Sequence, residues 1–328
     1  MHANTAKTFV IALGGNSLIR ANEKGTIEEQ CANLRQTSEQ LVELLGSDNR
    51  IVITHGNGPQ VGNLLLASEA TKDIVPPMTL DICGAATQGF MGYMMQQTLA
   101  NSLRAKGLKH DITTVVTQVE VDKNDSAFKN PSKPIGPFYG ESEARKLQQE
   151  RGWDIVEDAN RGYRRVVPSP IPVHIEQARI IKDMLDDGEI VVAVGGGGIP
   201  VVREKDRSLH GVEAVIDKDF ASSCLALDID ADVLIILTAV EHVFCDFGLP
   251  SQKALDSLDL NEAKKLLAEG HFGKGSMEPK IRAAIQFLEG GAECTPPRER
   301  EVIITLPETA VKALQGKTGT RITITNSK

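Results

Sequence analysis

Three glycine-rich turns are the parts of this sequence whose composition and spacing could do chemistry. Each follows a short apolar run that predicts a strand. In open α/β sheets ligands bind at the carboxyl ends of strands, where glycine lets several backbone N–H groups approach an anion and a following helix adds a positive end. These turns therefore predict a phosphate- or carboxylate-binding site. The candidate contacts are Gly14, Gly15, Asn16, Gly56, Asn57, Gly58, Gly196 and Gly197.

Three lysines stand where bound phosphate would need positive charge. Lys218 lies between Asp217 and Asp219, so a carboxylate can hold its ammonium group in position. The segment GSMEPK predicts a helix start with its serine as the N-cap; Lys280 then lies in the first turn, where a cation is disfavoured unless an anion is near. Lys133 lies in a proline-stiffened segment that suits a positioned charge. Taken alone, each lysine is also compatible with an ordinary solvated surface.

The familiar nucleotide and catalytic motifs do not occur. No GxxxxGK[ST] is found, and GNGPQVG at 56–62 is one residue too long for the dinucleotide motif and contains a proline that lacks an N–H donor. The HRD segment of protein kinases is missing, and so is the nucleophile elbow of hydrolases. His55 has two interpretations, a general base or a hydrogen-bonded strand-end histidine, and we favour the second.

Composition limits the partners and the compartment. The 328 residues carry a formal charge of -8, with a pI near 5.5, which offers no general attraction to nucleic acid or to an anionic membrane. No CxxC occurs, no metal-ligand spacing is apparent, and no apolar run reaches the length of a signal peptide or membrane span. We therefore expect a cytoplasmic protein without a protein-built metal site. Its cysteines are expected to be small buried apolar residues; they are Cys31, Cys83, Cys224, Cys245 and Cys294.

The elements that must position these residues alternate between strand and helix. Continuous apolar runs bounded by glycine predict central parallel strands covered by helices on both faces. The predicted strands are 9–13, 50–54, 111–118, 189–194, 233–238, 301–306 and 320–325. The predicted helices are 28–45, 60–71, 81–106 and 308–314.

Residues 119–172 interrupt this rhythm. The stretch is rich in proline and charge, which is typical of a lid or binding loop outside a core, although a passive insertion has the same composition. We interpret it as a small subdomain that protrudes from the sheet. We expect residues 1–221, including this lid, to form an N-terminal lobe, and residues 222–328 to form a C-terminal lobe.

A series of short motifs, in order and across almost the whole chain, resembles the signatures of the carbamate kinases. The motifs are ALGGNSL at 12–18, THGNGPQVG at 54–62, NPSKPIGP at 130–137, RRVVPSP at 164–170, GGGGIP at 195–200, GVEAVIDKD at 211–219, IILT at 235–238 and GSMEPK at 275–280.

The resemblance implies the amino-acid kinase fold, a three-layer αβα sandwich with a mainly parallel eight-stranded sheet, and a homodimer. It implies reversible phosphoryl transfer between ATP and carbamate, with ADP and carbamoyl phosphate as the other partners and Mg²⁺ carried mainly by nucleotide phosphates. It assigns catalysis to Lys133, Lys218 and Lys280, with Asp219 orienting the lysines. It assigns the nucleotide to Thr238, Ala239, Val240, Met277 and Lys280. On this resemblance, residues 1–221 are the lobe that binds carbamate and phosphate, and residues 222–328 are the nucleotide-binding lobe.

Two alternatives remain at this stage. One is a kinase of another small carboxylate with the same fold, and the other is a silent sensor of nucleotide or carbamoyl phosphate. Related amino-acid kinases often carry a lysine two residues before the first glycine pair, whereas this chain has Ala12, as carbamate kinases do; Lys133 is the candidate to replace that charge. Small residues at 81–89 are expected to pack two helices closely.

Overall fold

The computed structural model describes residues 6–20, 23–44, 49–157, 162–292 and 298–324. The strands are β1 (Thr8–Leu13), β2 (Arg50–His55), β3 (Ile112–Thr114), β4 (Gln118–Val121), β5 (Lys133–Tyr139), β6 (Ile155–Glu157), β7 (Tyr163–Val167), β8 (Pro172–Ile175), β9 (Ile190–Val192), β10 (Ile199–Arg203), β11 (Leu209–Gly211), β12 (Val233–Leu237), β13 (Val243–Cys245), β14 (Lys253–Leu255), β15 (Ser257–Asp259), β16 (Glu301–Thr305) and β17 (Thr320–Thr323). The helices are α1 (Ile27–Leu44), α2 (Gly58–Ala70), α3 (Leu80–Ala105), α4 (Glu141–Arg151), α5 (Ala178–Asp186), α6 (Lys218–Asp228), α7 (Leu260–Ala268), α8 (Met277–Ala292) and α9 (Ala310–Leu314).

The central sheet has eight strands in the order β15-β17-β16-β12-β1-β2-β9-β3. All neighbouring pairs are parallel except β16 and β17, which are antiparallel. The predicted mainly parallel eight-stranded sheet is thus confirmed. Because β1, β2 and β9 run parallel and adjacent, their carboxyl ends bring the three glycine turns to one edge of the sheet.

Two cores pack on opposite faces of this sheet. Alternate residues of β1 divide between them: Phe9, Ile11 and Leu13 pack with α1, α3 and α9, whereas Val10 and Ala12 pack with α5, α6 and α8. This two-sided burial explains why β1 is a continuous apolar run. The arrangement confirms the three-layer αβα sandwich.

Residues 119–172 divide between two smaller sheets. β4 and β8 join β10 and β11 in a four-stranded sheet, whereas β5, β7 and β6 form a separate three-stranded sheet that carries α4. The three-stranded sheet and α4, residues 133–167 with 158–161 undescribed, are called the lid below. Its base rests on α2, where Ile135 and Val167 join Val61 and Leu65 in a small third core.

One predicted strand was wrong. Residues 111–118 form two strands in different sheets, because β3 pairs with β9 in the central sheet while β4 pairs with β10. The apolar run continues through Val115 and Val116, so composition could not reveal the change of sheet. The predicted helix 308–314 begins later, at Ala310, after a 3₁₀ turn at Pro307–Thr309. Residues 45 and 325, the last of two predicted elements, and Cys294 lie outside the described residues.

Among the described residues, no helix has both the length and the apolarity that a bilayer span requires.

Candidate active site

A cleft of about 1080 Å³ opens where the glycine turns, the lid and the first turns of α6 and α8 meet. Its walls include residues from both halves of the chain and from β5 of the lid. The sequence-predicted residues that line it are Gly15, Gly56, Asn57, Gly58, Lys133, Gly196, Lys218, Asp219, Thr238, Ala239, Val240, Met277 and Lys280. The structure thus brings nearly all of the candidates into one concave site of the size that small-ligand pockets have.

Asp219 holds two of the three lysines. Its Oδ2 accepts a hydrogen bond from Lys280 Nζ at 2.7 Å, and its Oδ1 lies 2.8 Å from Lys218 Nζ. The buried ammonium of Lys218 is thus ion-paired with Asp219, in a contact whose alignment is poor for a hydrogen bond. An anionic ligand would give its remaining N–H groups acceptors.

Asp219 and the two lysines affect one another's pKa values in opposing directions. Burial alone would raise the pKa of Asp219, but the ammonium groups of Lys218 and Lys280 hold that pKa well below its usual range. Burial lowers the pKa of Lys218, and Lys280 lowers it further, whereas Asp219 acts in the opposite direction. An anionic ligand beside both lysines would stabilise their charged forms.

Lys133 reaches the same floor from the lid. Its Nζ donates to Asp217 Oδ2 at 2.6 Å, while Asp217 Oδ1 accepts the backbone N–H of Asp219 and caps α6. The resemblance implied that Asp219 orients all three lysines, but in the structure Lys133 is held by Asp217. Asp217 was the carboxylate that sequence reasoning did not place in the site, although its position beside Lys218 was a visible signal.

The glycine turns contribute in two ways. Gly15, Gly56 and Gly58 line the cleft, and a Cβ at Gly15 or Gly58 would meet no atom within 4 Å. Gly14 and Gly197 lie behind the wall, where a Cβ would approach the carbonyl oxygens of Leu237 and Ile216 to 2.6 and 2.2 Å. Those two glycines permit close packing of the turns, so direct ligand contact falls to their neighbours.

Helix ends add to the positive potential of the cleft. The first residues of α2, α6 and α8, namely Gly58, Lys218 and Met277, all line it. Exposed backbone N–H groups at such ends favour anions. Ser276 precedes α8 as predicted, but its hydroxyl donates to Gly273 O at 3.2 Å instead of accepting a capping bond.

His55 is buried and has the structural role that the sequence favoured. Its Nδ1 lies 3.0 Å from Gly56 O, and its side chain adjoins the third glycine turn. Burial lowers the pKa of His55 to about 4, and Lys218 lowers it as well. The ring is therefore neutral near pH 7. His55 is not among the residues that line the cleft.

The far wall of the cleft is more apolar. Thr238, Ala239 and Val240 leave the end of β12, and beyond them the rings of Phe244 and Phe247 lie 5.8 Å apart. Sequence reasoning missed both phenylalanines, although their spacing of three residues in a chain with 4% aromatic residues was a signal. A cleft lined by both aromatic rings and lysines suits a ligand with a flat base at one end and phosphates at the other.

Comparison with known proteins agrees with this geometry. The sequence profile described as the amino acid kinase family matches residues 7–295. A carbamate kinase of Thermococcus kodakarensis is 50% identical over 319 residues, which cover 96% of this chain and 99% of the relative. One from Trichomonas vaginalis is 44% identical, covering 96% and 98%. The solved carbamate kinase of Giardia lamblia bound to AMP-PNP has a TM-score of 0.89 and 42% identity, covering 98% and 99%. The chain therefore belongs to the amino acid kinase family and, within it, to the carbamate kinases.

Proposed function

We propose that this protein transfers a phosphoryl group reversibly between ATP and carbamate. The observation that carries the proposal is the convergence of Lys133, Lys218 and Lys280 on two aspartates in one cleft. The lysines come from the lid, α6 and α8. A near relative of known structure, the Giardia lamblia enzyme, binds AMP-PNP, which fits the apolar wall opposite this floor.

The charges explain how the reaction proceeds without a general base. A carbamate oxygen is already anionic, so it attacks the γ-phosphorus of ATP as the bond from that phosphorus to the β,γ-bridging oxygen breaks. In the reverse direction a β-phosphate oxygen of ADP attacks carbamoyl phosphate and releases carbamate. Both directions require two anions to meet in line, so catalysis depends on positioning and on charge stabilisation. Neutral, buried His55 has no step to perform.

Each cation has a distinct part in this scheme. Lys218 and Lys280, held by Asp219, stabilise the nucleotide phosphates and the transferring group. Lys133 acts on the transferring group from the lid and supplies the charge that Ala12 leaves absent. Backbone N–H groups of the turns that contain Gly15, Gly56 and Gly58 hold the acceptor.

The two predicted lobes divide the substrates. Residues 1–221, with the lid, bind carbamate and the transferring phosphate, and residues 222–328 bind the nucleotide. Thr238, Ala239, Val240 and Met277 contact it, and the phenylalanine pair faces its base.

Magnesium would be held mainly by nucleotide phosphates and water. The carboxylates on the cleft floor fit this assignment, because Asp219 is engaged by Lys218 and Lys280, and Asp217 by Lys133 and the α6 cap. Mg²⁺ usually takes few protein ligands at phosphate sites. When bound, the ion neutralises phosphate charge and leaves the positioning to these side chains.

A homodimer is proposed on the exposed face of α3. Ile82, Ala86, Gly89 and Tyr93 are exposed and spaced by four, three and four positions, so they share one face. A Cβ at Gly89 would meet no atom within 4 Å, which leaves room for a second helix to approach. Tyr93→Arg is expected to shift the mass measured by light scattering from dimer to monomer, whereas an unchanged mass would locate the interface elsewhere.

The proposed compartment is the reducing cytoplasm. Cys31, Cys83, Cys224 and Cys245 are free thiols, and ATP and ADP are cytoplasmic substrates.

A coupled assay tests the proposed activity. Purified protein with ADP, Mg²⁺ and carbamoyl phosphate is expected to form ATP, and omission of Mg²⁺ should abolish it. Phosphorylation of another carboxylate without any ATP from carbamoyl phosphate would favour a different acceptor on the same fold. Ligand binding without any transfer would favour a sensor.

A further inference from the structure

The third glycine turn begins with a residue whose backbone conformation is unfavourable for its type. Val194, buried completely, has φ 53° and ψ 35° in the left-handed region. A β-branched residue rarely adopts this conformation, which costs about 1–2 kcal/mol relative to the right-handed one. Such strain persists only where the surrounding structure enforces it.

Thr117 provides the enforcing contact. Its Oγ1 accepts the backbone N–H of Val194 at 3.0 Å and donates to Val115 O at 2.7 Å, so the hydroxyl is fixed at both ends. Thr117 is itself held by Gln88, whose Oε1 accepts the Thr117 N–H at 2.8 Å and whose Nε2 donates to Thr117 O at 3.2 Å. Thr117 and Gln88 are both buried.

The turn that Val194 begins packs against two segments that line the cleft, the second glycine turn and the residues just before α6. A Cβ at Gly196 would lie 2.2 Å from the side chain of Asn57, and one at Gly197 would lie 2.2 Å from Ile216 O, just before Asp217. The turn is therefore wedged between the second glycine turn and the segment that starts α6. Any relaxation of Val194 toward negative φ would displace both neighbours.

We propose that Thr117 and Val194 are positioning residues for phosphoryl transfer: the Thr117 hydroxyl locks Val194 in its left-handed conformation and so holds the Gly195–Gly197 turn against Asn57 and the start of α6. Neither side chain lines the cleft, so both act through the turn. The kinetic part of this inference rests on the proposed function, whereas the locking itself does not.

Paired variants test the inference. Thr117→Val keeps the shape of the side chain and removes the hydroxyl, so kcat for ATP formation should fall about 10- to 100-fold, in line with small misplacements of reacting groups. KM for ADP should change less than threefold, because the base and ribose bind on the opposite wall. Thr117→Ser, which keeps the hydroxyl, should stay within threefold of the wild-type kcat.

A second substitution distinguishes loss of the Val194 conformation from a general disturbance of the structure. Glycine adopts left-handed φ without the Cβ penalty, so Val194→Gly in the Thr117→Val background should recover at least half of the lost activity on a logarithmic scale. Failure of this rescue, or a normal kcat in Thr117→Val, would overturn the proposal. Thermal unfolding midpoints identify variants that fail to fold.

A substrate-free measurement keeps the inference independent of the reaction. Amide hydrogen exchange at residues 194–198 should accelerate at least tenfold in Thr117→Val and not in Thr117→Ser. If the wild-type protein formed no ATP, the proposed function would fail while this comparison still decided the lock. Unchanged exchange in Thr117→Val would overturn the lock whatever the activity.

Discussion

One carboxylate, Asp217, joins the lid to the helix that carries Lys218. Its Oδ2 lies 2.6 Å from Lys133 Nζ, and its Oδ1 caps α6 through the N–H of Asp219. Lys133 is about one-third exposed, whereas the Asp217 side chain is 17% exposed. The pair is therefore partly open to the cleft, where a phosphate bound as proposed would compete with Asp217 for the ammonium group.

Removing Lys133 should slow transfer more than it weakens nucleotide binding. Lys133→Ala is expected to lower kcat about 100-fold, the usual effect of losing one electrostatic donor at a transition state, with less than a fivefold change in the Kd for ADP. Steady-state kinetics and calorimetry measure the two quantities. Lys129→Ala, which alters an exposed lysine four residues before Lys133, is the matched control.

The lid itself should respond to ligand. Hydrogen exchange in the lid, residues 133–157 and 162–167, is expected to slow when carbamoyl phosphate or nucleotide binds, because we expect the lid to close over the site. Unchanged exchange together with a harmless Lys133→Ala would make the lid a passive insertion.

The double role of Asp217 can be divided by substitution. Asn caps helices as well as Asp does, so Asp217→Asn should leave the free energy of unfolding nearly unchanged while it releases Lys133. Asp217→Ala should lose about 1 kcal/mol of stability in addition, as measured by urea unfolding. Equal stability of the two variants would contradict the capping role.

Lys218 should be the most sensitive of the cations, because its side chain is the least exposed of the three lysines and is paired with buried Asp219. Lys218→Ala is expected to reduce kcat at least about 100-fold in a folded protein. Lys205→Ala, on an exposed turn, should leave kcat unchanged. Near-normal turnover in folded Lys218→Ala would return this lysine to a structural role.

The local sequence pattern was sufficient to predict those parts of the site that follow the end of a strand. Gly15, Gly56 and Gly196 follow apolar runs, and parallel order then places them at one edge. The partner of Lys133 was beyond local pattern, because Asp217 is 84 residues away and the contact depends on how the lid folds back. The change of sheet between β3 and β4 was hidden because the apolar run continues through it, and the approach of Phe244 to the cleft depends on tertiary packing.

Buried His55 should make stability depend on pH. Its pKa is about 4 when folded and 6.5 ordinarily, so between these values the unfolded chain binds more protons. Stability is therefore fully present above about pH 6.5 and is lost as pH falls toward 4. From pH 7 to 5 the loss due to His55 should be about 2 kcal/mol.

Urea unfolding at pH 5, 6 and 7 measures this dependence. His55→Gln removes the titrating ring, so the slope of stability against pH should flatten in that variant, even if its stability at pH 7 is lower. His210→Gln, which alters an exposed histidine, should keep the wild-type slope. An unchanged slope in folded His55→Gln would mean that the His55 ring exchanges protons with solvent in the folded state. His55 could then no longer be described as a neutral, buried histidine beside Lys218.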